Sequence, residues 1–207
     1  MSSVSDFPVD DEDGGEGEPG DTGFLAGKLL IAMPGIGDPR FEHALVLICI
    51  HNAEHAMGVR VNLPLEGMTV AYVLGKLGIE GDARDPHQLV LLGGPVERER
   101  GYVLHSDDFS VLGSTMPVSE GVQLTATREI LEALTDRYEV PRQSVLALGY
   151  AGWGPGQLET ELRENVWLTC PADPDLVFDE DFDTKWERAL GKMGISPALL
   201  SSQSGRA

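Results

Sequence analysis

Seven consecutive apolar residues, Ala44 to Ile50, form the longest such run in the chain and restrict its architecture more than any other feature. A helix crossing a bilayer needs about 20 apolar residues, so the run is far too short to span one. Its β-branched members favour an extended backbone, and the lack of polar alternation implies burial on both faces. Phe41 to Ile50 is therefore predicted as a strand inside a covered sheet. Asn52 to His55 reads as a turn, and Gly58 to Asn62 returns as a second strand, giving a hairpin.

Further elements follow from pattern. Lys28 to Ile31 is a short apolar segment stopped by Pro34-Gly35, and Met68 to Leu77 carries Val70, Val73, Leu74 and Leu77 at helical spacing. Gln88 to Leu92 and Gly101 to His105 read as strands, separated by Gly93-Gly-Pro-Val96 and a solvated turn at Glu97-Arg-Glu-Arg100; another strand is expected around Val122 to Leu124. Thr127 is placed to cap a helix whose face holds Ile130, Leu131, Leu134 and Tyr138. Ser144 to Tyr150 reads as a strand, Gly149 to Gly156 as a glycine-rich loop, and Leu158, Leu162 and Val166 as one face of a short helix. Val166 to Thr169 reads as a strand, and Thr184 with Glu187 as a capping box opening a helix through Leu190. Hairpins early and helices interspersed irregularly favour an α+β domain over a doubly wound parallel sheet.

Charge sets the next limits. The 207 residues hold 34 acids and 15 bases, a net charge of −19 with histidine neutral. Eight of the acids and no base fall within residues 1–22, which also contain four glycines; this segment buries too little apolar surface to offset its ordering entropy and is predicted to be a disordered acidic tail. A self-masking tail or a nucleic-acid mimic is the functional alternative. Residues 23–200 are expected to form one domain without internal repeats, and 201–207 a frayed C-terminus. So acidic a chain is repelled by DNA, and it shows no basic stripe and no helix-turn-helix pattern. The opening Met-Ser-Ser-Val-Ser-Asp lacks a secretory pattern, and Cys49 and Cys170 form neither a disulfide framework nor a CxxC motif. A cytoplasmic address is expected, with no cofactor, no metal and no membrane partner, and a monomer is favoured.

The residues that could carry chemistry are few. His51 and His55 have zincin-like spacing, but their segment reads as a turn and the intervening glutamate is misplaced. Cys49 sits in the most apolar strand and Cys170 at a strand end, where small buried thiols react poorly. No nucleophile elbow, Walker loop or SxxK pair is present. The segment Gly149-Tyr-Ala-Gly-Trp-Gly-Pro-Gly-Gln-Leu-Glu159 is the most informative: its glycines allow close backbone approach, its helix-opening N–H groups favour anions, and Trp153 could stack on a planar group. A tight strand-to-helix turn with a packed tryptophan explains the same pattern, and Glu159, Glu161 and Glu164 disfavour a polyanion.

Gly27-Lys-Leu-Leu-Ile-Ala-Met-Pro34, Asp38-Pro-Arg-Phe41, Gly58-Val-Arg-Val-Asn-Leu-Pro64, Gly93-Gly-Pro-Val96, Arg100-Gly-Tyr-Val-Leu-His105, Gly149 to Glu159 and Asn165-Val-Trp-Leu168 together resemble the YqgE/AlgH family of bacterial proteins. The resemblance runs in order from Gly27 to the end of the chain and leaves out the acidic tail. It implies a mixed, partly barrel-like sheet flanked by helices. The family is often labelled a transcriptional regulator but brings no catalytic residues to carry over. The leading expectation is an accessory protein that binds a small ligand or a protein partner, with any regulatory role indirect. Its candidate ligand-binding residues are Gly93, Gly94, His105, Gly152, Trp153, Gly154, Gly156 and Gln157. The rival is an enzyme, a hydrolase or acid–base catalyst, using His105 with Glu159 or Glu161.

Overall fold

The computed structural model describes residues 24–136, 138 and 140–201, so the expected tail and the last six residues lie outside it. The apolar run falls in a strand, Leu45–His51, in which only Ile50 is less than fully buried. Its side chains divide between two cores: Leu45, Leu47 and Cys49 enter one, Val46 and Ile48 the other. Continuous apolarity is thus explained by two covered faces.

In chain order the strands are β1 (Lys28–Ala32), β2 (Leu45–His51), β3 (Ala56–Arg60), β4 (Pro64–Thr69), β5 (Leu89–Leu92), β6 (Val96–His105), β7 (Thr115–Ser119), β8 (Val122–Thr125), β9 (Ser144–Trp153) and β10 (Trp167–Pro171). The helices are α1 (Val70–Lys76), α2 (Arg128–Ala133), α3 (Gln157–Arg163), α4 (Pro174–Phe178), α5 (Lys185–Lys192) and α6 (Pro197–Ser201), with a 3-10 turn at Pro39–Phe41. The main path runs β10-β1-β2-β3-β9-β6-β8-β7, every neighbour antiparallel. The sheet curls: a Cβ on Gly27, at the head of β1, would lie 2.7 Å from the Val118 carbonyl oxygen in β7, near the other end of that order. The result is a half-barrel in a single α+β domain. Its interior is filled from β1–β3, β6, β8 and β9 and by Leu176 and Val177 of α4 and Trp186 and Leu190 of α5. The α3 helix covers the outer face through Leu158, while α1 and α2 pack Val70, Leu74 and Ile130 on Val90, Val103 and Leu146.

The sheet forks at β9. One edge of β9 is held by β6, while the other pairs in parallel with β5 at Ala147–Leu148 and antiparallel with β3 at Ala151–Trp153. Gly93 sits in the fork, its N–H donating to the Leu148 carbonyl and its own carbonyl accepting the Arg60 N–H, both at 2.8 Å. A Cβ at Gly93 would stand 2.2 Å from the Gly149 oxygen, and one at Gly94 2.0 Å from the Tyr150 carbonyl carbon. Only glycine fits so close a backbone approach.

Several local readings are corrected. Phe41–Ala44 is not strand: Asp38 accepts the Arg40 N–H at 3.0 Å and starts the 3-10 turn instead. The charged run Glu97–Arg100 belongs to β6, where a register shift between Val96 and Gly101 leaves Glu97–Glu99 exposed and Arg100 half-buried. The loop expected from Gly149 begins later, because β9 continues to Trp153. Tyr138 lies beyond α2 and is 94% exposed. Thr184 forms no capping box, since its hydroxyl donates to Asp181 at 2.6 Å. β4, β7 and α4 carry no clear sequence signal: β4 holds Glu66 and Gly67, and β7 is an edge strand with Pro117. Among the described residues, no helix is long and apolar enough to cross a membrane.

Candidate functional site

The glycine–tryptophan segment closes around one carboxylate. Trp153 ends β9 and Trp167 begins β10, and both indole N–H groups donate to Oε2 of Glu161, at 2.8 and 2.7 Å. Gln157 Nε2 donates to the other oxygen at 2.9 Å, while its Oε1 accepts the Gly154 N–H at 3.1 Å. The indoles meet edge to face with centroids 6.0 Å apart, and Phe41 meets Trp167 the same way at 5.7 Å. Both tryptophans are buried, so their N–H groups require an acceptor. Trp153, Gly154 and Gln157 therefore sit in a structural clasp, and Gly156 (φ +68°) sets the turn into α3.

Neither candidate histidine is poised for catalysis. His51 Nδ1 accepts the Leu25 N–H at 2.9 Å, which places the ring proton on Nε2, donating to Glu159 Oε1 at 2.9 Å. Glu159's own backbone N–H, and then His51, hold its carboxyl below the usual range. With both ring nitrogens of His51 engaged, the His51–His55 spacing builds no metal site, and no cluster of three metal-ligating side chains exists among the described residues. His105 is 0% exposed; its Nδ1 donates to the Ser106 carbonyl at 3.0 Å, so Nε2 accepts from Thr125 at 2.8 Å. Thr125 in turn accepts from Thr115, whose oxygen takes the Val111 N–H. Burial holds the His105 pKa below its ordinary value. His105 pairs with Ser144 at the start of β9, whereas Trp153 ends it; nine residues of strand separate them by roughly 30 Å. The structure does not bring His105 to Glu159 or Glu161. Burial pushes the Cys49 thiol up to about 12 and raises that of Cys170.

The fork opens a cleft instead. Where β3 and β5 part along β9, a space of about 460 Å³ is walled by Phe41, Leu63, Leu92 and Pro95 and edged by Arg40, Arg60 and Arg98. A second space of about 510 Å³ adjoins it, shares Arg40, Phe41 and Pro95, and reaches Gly152, Trp153, Gln157 and Glu161. Of the sequence-predicted residues, Gly94 lines the first space and Gly152, Trp153 and Gln157 the second; Gly93 stitches the fork behind them.

Arg60 dominates the electrostatics. It is 7% exposed, and it donates from Nε to Asn62 Oδ1 (3.1 Å), from Nη1 to the Arg40 carbonyl (2.8 Å) and from Nη2 to the Glu42 carbonyl (3.1 Å). It forms no ion pair with a carboxylate among the described residues, and desolvation lowers its pKa to about 10, leaving it charged at neutral pH. Arg40 is matched by Asp38, its Nη2 lying 2.6 Å from Oδ2. Arg98 is exposed, and its side chain has no partner among the described residues. His43, in the wall of this cleft, and Glu97, next to Arg98 in the chain, hold φ of +49° and +47°, a conformation uncommon outside glycine. Arg60 carried a sequence signal that went unread, an arginine between Val59 and Val61 in an apolar strand. Its partners Arg40 and Glu42 lie about 20 positions away, so the fork was invisible.

Comparison with known proteins agrees with this architecture. The model of the family described as DUF179, AlgH-like, matches residues 29–198. A UPF0301 protein of Caulobacter vibrioides (strain NA1000 / CB15N) is 56% identical over 199 residues, covering 96% of this chain and 98% of that protein. A UPF0301 protein of Methylobacterium sp. (strain 4-46) is 50% identical, covering 89% and 91%. The solution structure of AlgH from Pseudomonas aeruginosa superposes with a TM-score of 0.73 at 36% identity, covering 92% of this chain and all of that one. A Corynebacterium diphtheriae crystal structure shares the fold at 19% identity, with a TM-score of 0.68 over 86% of this chain. The segments that carry the sequence resemblance thus build the fork, the clasp and the cleft between them, and the chain belongs to the AlgH-like family.

Proposed function

We propose that the protein is a cytosolic, monomeric accessory protein that holds a small molecule in the forked cleft, any regulatory effect passing through that binding rather than through contact with DNA. One observation carries the reading: Pro39–His43, Arg60 with Leu63, and Leu92 with Gly94 and Pro95, distant in sequence, converge to wall a single space of drug-molecule size. Catalysis lacks comparable support, because His105, His51 and Glu161 each have their hydrogen-bonding capacity engaged within the protein.

A thermal-shift panel on the full chain tests it, with divalent metals, phosphate, nucleotides, carboxylates, amines and neutral metabolites. A ligand at about a hundred times its Kd adds roughly 2.7 kcal/mol, raising Tm by about 5–10 °C for a domain this size. A reproducible shift that is lost on altering a cleft residue is the expected result. Silence throughout, or tight binding of labelled duplex DNA at low salt, overturns the reading.

A further inference from the structure

We infer that the forked cleft is an oxyanion site for a small molecule with an apolar body, the oxyanion meeting Arg60 and Arg98. The inference rests on the binding role proposed above and names the ligand chemistry.

Arg60 supplies the first argument. A guanidinium has five N–H donors, and this one spends three, on Asn62 and on the Arg40 and Glu42 carbonyls. Nη1 and Nη2 each retain one N–H that an oxyanion's oxygens can accept. The cation is almost fully buried, held only by neutral oxygens, and lines the cleft. A bound oxyanion supplies the missing countercharge.

Arg98 supplies the second. It stands on the exposed part of β6, lines the same cleft, and is held by nothing else described. Against these charges stand Asp38, matched by Arg40, Glu42 at the rim, Glu97 and Glu99 on either side of Arg98, and the exposed Asp183 and Glu187, which line an adjoining space that Arg60 also reaches. Within the cleft's own lining Arg40, Arg60 and Arg98 stand against Glu42, although the whole chain carries −19. The walls make the ligand more than a free ion. Phe41, Leu63, Leu92 and Pro95 surround the arginines with apolar surface, which lowers the local dielectric and gives a planar or aliphatic body something to cover.

The test is an amide NMR titration of the full chain with benzoate, phenyl phosphate, benzamide and benzylammonium. Benzoate or phenyl phosphate is expected to give saturable shifts at Arg40–His43, Arg60 and Gly94–Arg98, tighter at low salt, with the two anions compared directly. Benzamide and benzylammonium should not saturate. Arg98→Gln, an exposed substitution that leaves the core intact, should weaken the anion about fivefold or more. Arg60→Lys, which keeps the charge but loses the planar guanidinium donors, should weaken it further if the variant keeps the native spectrum. No saturation by either anion up to about 20 mM, equal binding of benzamide, or an unchanged Kd in Arg98→Gln overturns the inference. If the thermal-shift panel instead finds a neutral or cationic ligand in this cleft, the oxyanion inference fails and the binding role stands. If both experiments are silent, both fall.

Discussion

Trp153 and Trp167 share a single hydrogen-bond acceptor, one carboxylate oxygen of Glu161, at 2.8 and 2.7 Å. The pair ties the end of β9 to the start of β10 through one helical residue. Glu161→Ala leaves two buried indole N–H groups without an acceptor, a loss of about 2–5 kcal/mol. Glu161→Gln keeps one oxygen for the indoles but turns an amide N–H toward Gln157, so an intermediate loss is expected. Urea denaturation followed by circular dichroism gives both values, and a Glu161→Ala variant within about 0.5 kcal/mol of the parent would show the clasp to be idle.

The two glycine motifs should respond differently to a methyl group. Gly93→Ala drives a Cβ to 2.2 Å from the Gly149 oxygen, where only backbone can yield, and is expected to abolish soluble folded protein. Gly154→Ala meets nothing nearer than Gln157 Oε1 at 4.0 Å and should change stability by less than about 1 kcal/mol. Expression yield and melting temperature of the two variants settle the contrast.

His105 gives the fold an acid-sensitive point. Burial keeps its pKa below the ordinary 6.5, so the unfolded chain binds the proton more readily. Stability from this group is complete above about pH 6.5 and declines as pH falls from there toward the folded-state value. His105→Gln should flatten that part of the curve relative to the parent. Parallel stability curves between pH 7 and 5 would refute the assignment.

Lys185 acts at the other end of the scale. It is 0% exposed, donates at 2.9 Å to the Val61 and Val177 carbonyls, and burial lowers its pKa to about 8. The unfolded chain therefore holds that proton over about pH 8–10.5 while the folded one releases it, and stability rises with pH across the interval. Lys185→Met should lack this rise. At pH 7 it should be less stable by about 1–3 kcal/mol, two carbonyls being left unpaired. Guanidinium melts of parent and variant at pH 7, 8.5 and 10 measure both effects.

The legible parts of the fold were those written in consecutive residues. The run from Ala44 to Ile50 announces a strand covered on both faces, and the hairpin through Asn52–His55 follows from it. Residues 97–100 hid their strand because they alternate acids and bases on exposed backbone, where no apolar period exists to be read. The site was less visible. Trp153 stood out, but its partner Glu161 is shared with Trp167, and that sharing depends on how β9, α3 and β10 close in space. Gly93 and Gly94 read as a turn and as candidate ligand contacts, and the close approach of β9 that requires glycine there depends on pairing across about 55 residues.

The fork also fixes an order of events during synthesis. β9 is the partner that β3, β5 and β6 all await, and it leaves the ribosome after every one of them. Between emergence of Arg60 and of Trp153, at 5–20 residues per second, roughly 5–20 s pass with those edges unpaired. The nascent half-sheet is then a target for another chain's strand, and the charges of Glu97, Arg98, Glu99 and Arg100 guard the stretch of β6 that stays out of register with β9 even afterwards.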